Sequence, residues 1–297
     1  MKVSVVMPTH GRAEYLPRAI ESVLGQTISD WELIVVDDNP PGSATREETG
    51  KVVSRYSDSR IRYVLNDRNL GGALTRNHGI DEAKTKYISF LDDDDKYLPE
   101  RLAVQLKAME ENGWDFAVMD GATYRHGTEE KVSERHQRVQ EGMTNEELMR
   151  IHLLYHLSGT NTFMFRADYL RKIGGFDDAP SCQEWFLMEK ALMGGGKFGY
   201  LPGIHIRNYQ HPGGQLSTGK KKLVGQKILF EHKKRHFRLL TAAERRQVVC
   251  RHHGVLFFVH FKMHHYLRAA CEAVRCFFAS PRDAVAWMKE YKGKITA

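Results

Sequence analysis

Along roughly the first 115 residues, short apolar runs alternate with stretches of helical periodicity. Residues 3–7 (VSVVM) form a β-branched run that stops at Pro8. Leu16, Ala19, Ile20, Val23 and Leu24 then recur at i, i+3, i+4, i+7 and i+8, which predicts a helix over 14–26. Residues 32–38 (ELIVVDD) read as a second buried strand that closes on Asp37 and Asp38, and 45–57 as a helix. A third strand is predicted at 61–65, a turn at Asn69-Leu70-Gly71-Gly72 and a helix at 73–83. A fourth strand, 86–91, ends in Asp92-Asp93-Asp94-Asp95, and Pro99 stands near the start of a helix reaching about 111. Strands alternating with helices predict an α/β fold, a mostly parallel sheet with helices on both faces. Ligands of such sheets bind beyond the carboxyl ends of the strands. Three predicted strand ends carry polar groups there: Thr9-His10-Gly11-Arg12, Asp37-Asp38 and the four aspartates.

From about 116 to 210 the rhythm loosens. Residues 115–125 and 161–166 read as strands, 127–145 as a polar, mobile loop, and 172–178 as a turn. A helix is expected over 182–193, capped by Gly194-Gly195-Gly196, with the strand FGYLPGIHIRNYQ after it. From about 220 the pattern is helical and basic.

Composition adds that the chain is globular: 297 residues, 41% hydrophobic and 27% charged, with neither repeats nor low-complexity tracts. No run reaches the ~18 apolar residues of a spanning helix, and residues 3–7 are too short for a signal-peptide core. The chain is therefore expected in the cytoplasm. The four cysteines form no C-x-x-C pair, so reduced thiols are expected instead of a zinc ribbon. Charge is unevenly placed. Residues 230–297 hold 14 Lys/Arg against 5 Asp/Glu, a net of +9, while the rest hold 30 against 32, a net of −2. The basic segment points to an anionic partner for that segment alone. Its stretch 255–279 reads as a basic amphipathic helix, which either lies in a membrane interface or packs on the body with its basic side solvated. His260 and His264 have the i, i+4 spacing of zinc ligands but lack a third ligand, and a solvated helix face is the simpler reading.

Four adjacent aspartates repel one another unless cations or solvent screen them. At a strand tip, a D-x-D pair can hold a hard divalent ion against a diphosphate. A carboxylate such as Asp38 can accept from a ribose or base, His10 can stack on a base, and Arg12 can pair with phosphate. Neither a P-loop nor a G-x-G-x-x-G follows any predicted strand, which disfavours a P-loop NTPase and an ordinary dinucleotide enzyme.

Taken together, VSVVMPTHGR, LGQTISDWELIVVDDNP, NLGGALTRNHGIDEAKTKYISFLDDDDKYLPERL, GTNTFMFRADYLRKIGGFDD, CQEWFLMEKAL and HPGGQLST resemble a family 2 glycosyltransferase of the GT-A fold over about residues 1–220. The resemblance implies a nucleotide-sugar-binding half (1–115), an acceptor-binding half (116–229) and a basic helical extension (230–297). It places Pro8, Thr9, His10, Arg12, Asp38 and Arg76 at the nucleotide, and Asp92 and Asp93 at the sugar-nucleotide. Asp94 and His211 fall at the metal (Mn2+ or Mg2+), and Trp185, Gln215 and Ser217 on the acceptor or diphosphate side. Glu184 falls where the family's general base lies. Two departures stand out: glutamate replaces the usual aspartate, preceded by Gln183 in place of an acid, and His10 replaces an aromatic residue. The implied function is inverting transfer of a hexosyl or N-acetylhexosaminyl group, in surface-polysaccharide synthesis. The donor is a UDP-sugar and the acceptor a hydroxyl of a glycan or lipid-linked oligosaccharide, at the inner face of the membrane and without nucleic acid. A sugar-nucleotide-forming nucleotidyltransferase and a non-catalytic nucleotide- or glycan-binding module are the alternatives.

Overall fold

The computed structural model describes residues 1–157, 159–210 and 219–286. In chain order the elements are β1 (Val3–Thr9), α1 (Leu16–Leu24), β2 (Trp31–Asp37), α2 (Ala44–Val53), β3 (Ile61–Leu65) and α3 (Gly72–Glu82). Next come β4 (Tyr87–Phe90), β5 (Lys96–Tyr97), α4 (Arg101–Asn112), β6 (Phe116–Arg125), β7 (Lys131–Arg135) and α5 (Asn145–Tyr155). They are followed by β8 (Met164–Arg166), α6 (Ala167–Lys172), α7 (Gln183–Met193) and β9 (Phe198–Gln210), then by α8 (Gly219–Arg235), α9 (Ala242–Lys262) and α10 (Tyr266–Ala279).

The chain divides into two compact units. The first holds residues 1–141, 157–178 and the described chain from 183 to 210. Its sheet runs in the order β3-β2-β1-β4-β8-β6-β9-β5, with β7 paired to β6. The four strands read first from the sequence are parallel to one another, with Val3 opposite Trp31 and Tyr87, and Leu33 opposite Ile61. The switch comes at β8, antiparallel to both β4 and β6. Alternation on β1 builds the core: Val3, Val5 and Met7 share one buried cluster with Leu33 and Val35 and with Leu16, Ala19, Ile20 and Val23 of α1. Ser4 is also buried and bonds to Glu32 (2.6 Å) and Thr85 (2.7 Å), which satisfies its hydroxyl. On α3, a Cβ at Gly79 would lie 2.3 Å from Val6 Cγ1, so only glycine lets this helix approach β1 so closely.

The structure departs from the sequence reading at 127–145. The expected loop contains β7, a hairpin strand exposed along its whole length, and it ends at the Thr144–Glu147 capping box that opens α5.

The second unit holds residues 142–156, 179–182 and the described chain from 219 onward. Its described elements are helices: α5, α8, α9 and α10. Stretch 255–279 is two helices, not one, because α9 ends at Lys262 and His264 turns the chain with φ 58° before α10. That break removes the i, i+4 face expected for His260 and His264. His260 is buried on α9, whereas His264 lies beyond the helix end. No described helix is long and apolar enough to cross a membrane.

Candidate active site

The site grows from the carboxyl ends of β1, β2 and β4, all in the first unit. After β2, the Asp38 carboxylate accepts from Leu70 N (2.7 Å), Gly71 N (2.9 Å) and Asn66 Nδ2 (2.8 Å). It thereby ties down the turn before α3, where Gly71 supplies the φ of 80°. Protein donors take three of its roughly four acceptor positions, so Asp38 holds the turn and keeps at most about one for a ligand. His10, exposed at the end of β1, bonds through Nδ1 to the Asp38 carbonyl at 3.1 Å and lies beside the Asn69 amide. Pro8 is half-buried in β1 and Thr9 is buried at its end. The Thr9 carbonyl accepts from Asp38 N at 2.9 Å, which fixes the two strand ends together.

The four aspartates follow β4, and each has a different surround. Arg76 of α3 pairs with Asp92, whose backbone N–H donates to Asn161 Oδ1 at 2.8 Å. Arg12 pairs with Asp94 and lies 3.4 Å from Asp93. Burial and the neighbouring Asp94 push Asp93 up to about 7, although Arg12 opposes the shift. Asp95 is raised well above the carboxylate range by burial and by Asp94 and Asp92. It accepts from Tyr209 N at 2.8 Å and from the Asn161 amide. Arg18 of α1 donates to the Asp94 carbonyl and lies over the Tyr209 ring.

Arg76 also joins this acidic tip to α7. Its Nη1 donates to Gln183 Oε1 at 3.2 Å while Nη2 holds Asp92. Gln183 and Glu184 are the first two residues of α7. Burial raises the Glu184 carboxyl. Arg76 lowers it, Asp92 raises it and Arg135 of β7 lowers it. Glu184 thus stands within electrostatic range of Asp92, 92 positions earlier in the sequence, and of Arg76 and Arg135.

Trp185 differs from the expectation of an acceptor-side residue. It is fully buried and packs edge-on against Phe186, so in this conformation it supports α7 from the core. His211, Gln215 and Ser217 lie outside the described residues. Three further residues near the site escaped the sequence reading: Arg18, Asn161 and Arg135. No local pattern marks any of them, because each is brought in by the sheet from a remote element.

The donor set fits a hard divalent cation: crowded carboxylate oxygens, two of them raised by burial and mutual repulsion. Among the described residues no three His, Cys, Asp or Glu side chains form a metal cage by themselves. An ion held by Asp94 would therefore complete its shell with ligand oxygens and water, as magnesium commonly does.

A family model described as glycosyl transferase family 2 matches residues 4–174, more than half of the chain. The chain belongs to glycosyl transferase family 2. An uncharacterized glycosyltransferase of Methanocaldococcus jannaschii is 43% identical over 113 residues, 37% of this chain and 38% of that protein. UDP-Glc:alpha-D-GlcNAc-diphosphoundecaprenol beta-1,3-glucosyltransferase WfgD of Escherichia coli is 35% identical over 114 residues, 38% of this chain and 43% of its own length. The chain thus spans about two fifths of these curated relatives. Among solved structures, S. aureus TarS matches with a TM-score of 0.65 at 18% identity, covering 97% of this chain and 83% of that one. Mannosyltransferase PcManGT from Pyrobaculum calidifontis, in complex with GDP-Man and Mn2+, matches at 0.54 and 14% identity, covering 98% and 75%. The fold of this family 2 chain is GT-A, as its sheet topology and these likenesses agree.

Proposed function

We propose that this protein transfers a sugar from a UDP-sugar to a hydroxyl of a lipid-linked glycan, with inversion at the anomeric carbon. The observation that supports the reading is the Arg76 bridge, which joins Asp92 to Gln183, the residue before Glu184, in the first turn of α7. The UDP and lipid-diphosphate parts rest on relatives: TarS is solved with UDP-GlcNAc, and WfgD is named for a diphosphoundecaprenol acceptor.

The chemistry follows from the groups. Arg12 and Arg76, which hold Asp94 and Asp92 at the strand ends, would pair with the donor phosphates, and His10 offers an exposed ring for the base. Glu184, raised by burial, is the proton acceptor for the incoming hydroxyl. As the new C–O bond forms, the bond to the diphosphate breaks on the opposite face and the hydroxyl proton passes to the Glu184 carboxylate. Mn2+ or Mg2+ bound at Asp94 would neutralise charge on the departing diphosphate. The test is UDP release from candidate UDP-sugars in the presence of a polyprenyl-diphosphate glycan. No release from any donor, with the acceptor present and the protein folded, would refute transfer.

A membrane contact is part of this proposal. On α10, Leu267, Val274 and Phe278 follow one another at i, i+7 and i+11 and are 87%, 56% and 79% exposed, while Arg268 and Arg275 run alongside. An apolar stripe flanked by arginines suits an anionic lipid surface. Changing Leu267 and Phe278 to Glu should abolish flotation with anionic vesicles. Equal flotation of variant and wild type would remove the contact.

A further inference from the structure

The helical unit buries two thiols against each other. Cys250 of α9 and Cys276 of α10 are 1% and 4% exposed, and their sulfurs stand 3.2 Å apart. The two helices form a hairpin about the turn at His264, and one line of facing residues joins them. Next to the turn, the rings of His260 and His265 lie with centroids 5.8 Å apart. Further along, His253 Nδ1 bonds to Glu272 Oε2 at 2.6 Å, and the line ends at Cys250 and Cys276. The steps along it are seven and three residues on α9 and seven and four on α10, so each set stays on one helix face.

The cysteines therefore hold the end of the hairpin remote from its turn. They stand fourteen positions before His264 and twelve after it, about 20 Å along each helix. Cys250, Cys276 and Ala284 make a buried cluster of their own, with Ala279 packed against it. Cys271 is five positions before Cys276, on another face of α10, and exposed. The pair is 26 positions apart in sequence, so no local spacing marks it and only the hairpin brings it together. A disulfide bond is ~2.05 Å long, which leaves the two sulfurs about 1 Å to close.

We propose that Cys250 and Cys276 are a disulfide-forming pair, a modification site that ties the open end of the α9–α10 hairpin. The pair depends neither on the transfer chemistry assigned to the sheet unit nor on the lipid contact of α10. Its oxidant is a small-molecule disulfide of the glutathione class. One cysteine thiolate attacks a sulfur of the reagent, joins it in a mixed disulfide and expels a reagent thiolate. The second cysteine thiolate then attacks the protein sulfur of that mixed disulfide and expels the other half of the reagent. The two cysteine protons end on the two reagent thiolates, so two protein thiols are oxidised and one reagent disulfide is reduced.

Burial sets the pace of this reaction. Burial and the neighbouring Cys276 push the Cys250 thiol up to about 12, and burial also raises Cys276, so the reactive thiolate is scarce. The reagent enters when the end of the hairpin opens, as helix ends do locally. A peptide adduct on either sulfur does not fit a cluster so deeply covered, and reclosure returns the second thiol to within reach of the first.

The test uses the full chain, fully reduced and then held in excess oxidised glutathione. Remaining thiols are alkylated in denaturant and the digested chain is mapped. The peptides of Cys250 and Cys276 should be recovered joined in most chains, lighter by two hydrogens than their sum, and dithiothreitol should part them. The exposed Cys271 should react first and so shows that the reagent is active. Cys271→Ser should leave the link unchanged, and Cys276→Ala should abolish it. The wild-type map stands even if Cys276→Ala fails to fold. Recovery of Cys250 and Cys276 as free thiols while Cys271 carries glutathione would overturn the proposal. So would a stable glutathione adduct on either member, or links that run to Cys271 or Cys182 instead.

Discussion

The two compact units carry opposite charge surpluses and resolve them differently. In the sheet unit, four adjacent aspartates meet arginines from separate elements: Arg12 after β1, Arg18 on α1 and Arg76 on α3. In the helical unit the surplus is basic: Lys233 and Arg251 donate to the carbonyls at the end of α5, while Glu231 pairs with Lys234, Glu244 with Arg150 and Glu272 with His253 and Arg275. The comparison teaches that a concentration of charge is informative only with its partners. The aspartates are anchored yet still strained, with Asp93 raised to about 7, which suits a cation arriving with a ligand.

The comparison can be broken most sharply at Asp94. Asp94→Ala should remove divalent-dependent UDP binding and lower transfer about 10²–10³-fold. Calorimetry with Mn2+ and UDP reads the binding, and unchanged titrations would take the ion away from this tip.

The sheet beneath the site can be stressed at Gly79. A Cβ there would lie 2.3 Å from Val6 Cγ1, so Gly79→Ala should cost about 1–3 kcal/mol in urea unfolding. Wild-type stability would mean that α3 can shift off β1, and then the Arg76 bridge should weaken as well.

The smallest effect concerns Asp93. Its folded value, about 7, lies above the ordinary carboxylate value, so the folded state binds the extra proton between pH ~4 and ~7 and loses stability as pH rises through that window. In metal-free buffer, Asp93→Asn should therefore unfold at a higher urea concentration than wild type at pH 7. The gain should vanish near pH 4. A gain independent of pH would show that packing, not ionisation, is responsible.

The parallel half of the sheet was legible because β1, β2 and β4 are buried on both faces and end in abrupt polar groups, Pro8-Thr9 on β1 and the aspartates after β4. β9 was legible at its full length for its β-branched and aromatic content. β7 was not, because Lys131 to Arg135 are all exposed and carry no apolar alternation. The start of α5 did carry a signal, Thr144 with Glu147 three residues on, which the surrounding polar stretch obscured. The same limit applies to the site. Asp92–Asp95 stand out as a run, and Glu184 was reached through family resemblance. Arg18, Asn161 and Arg135 carry no such mark, since only the folded sheet delivers them. Trp185 shows the converse: a residue beside the proposed base in sequence faces the core, because adjacent helix positions point about 100° apart.

The central claim is that Glu184 and the aspartate tip act on one donor. The most direct measurement is the turnover of Glu184→Gln beside its UDP-sugar affinity, with product release and calorimetry on the same preparation. The account predicts transfer lowered by at least about 10³-fold with donor affinity within about twofold of wild type. Turnover at the wild-type rate would contradict it.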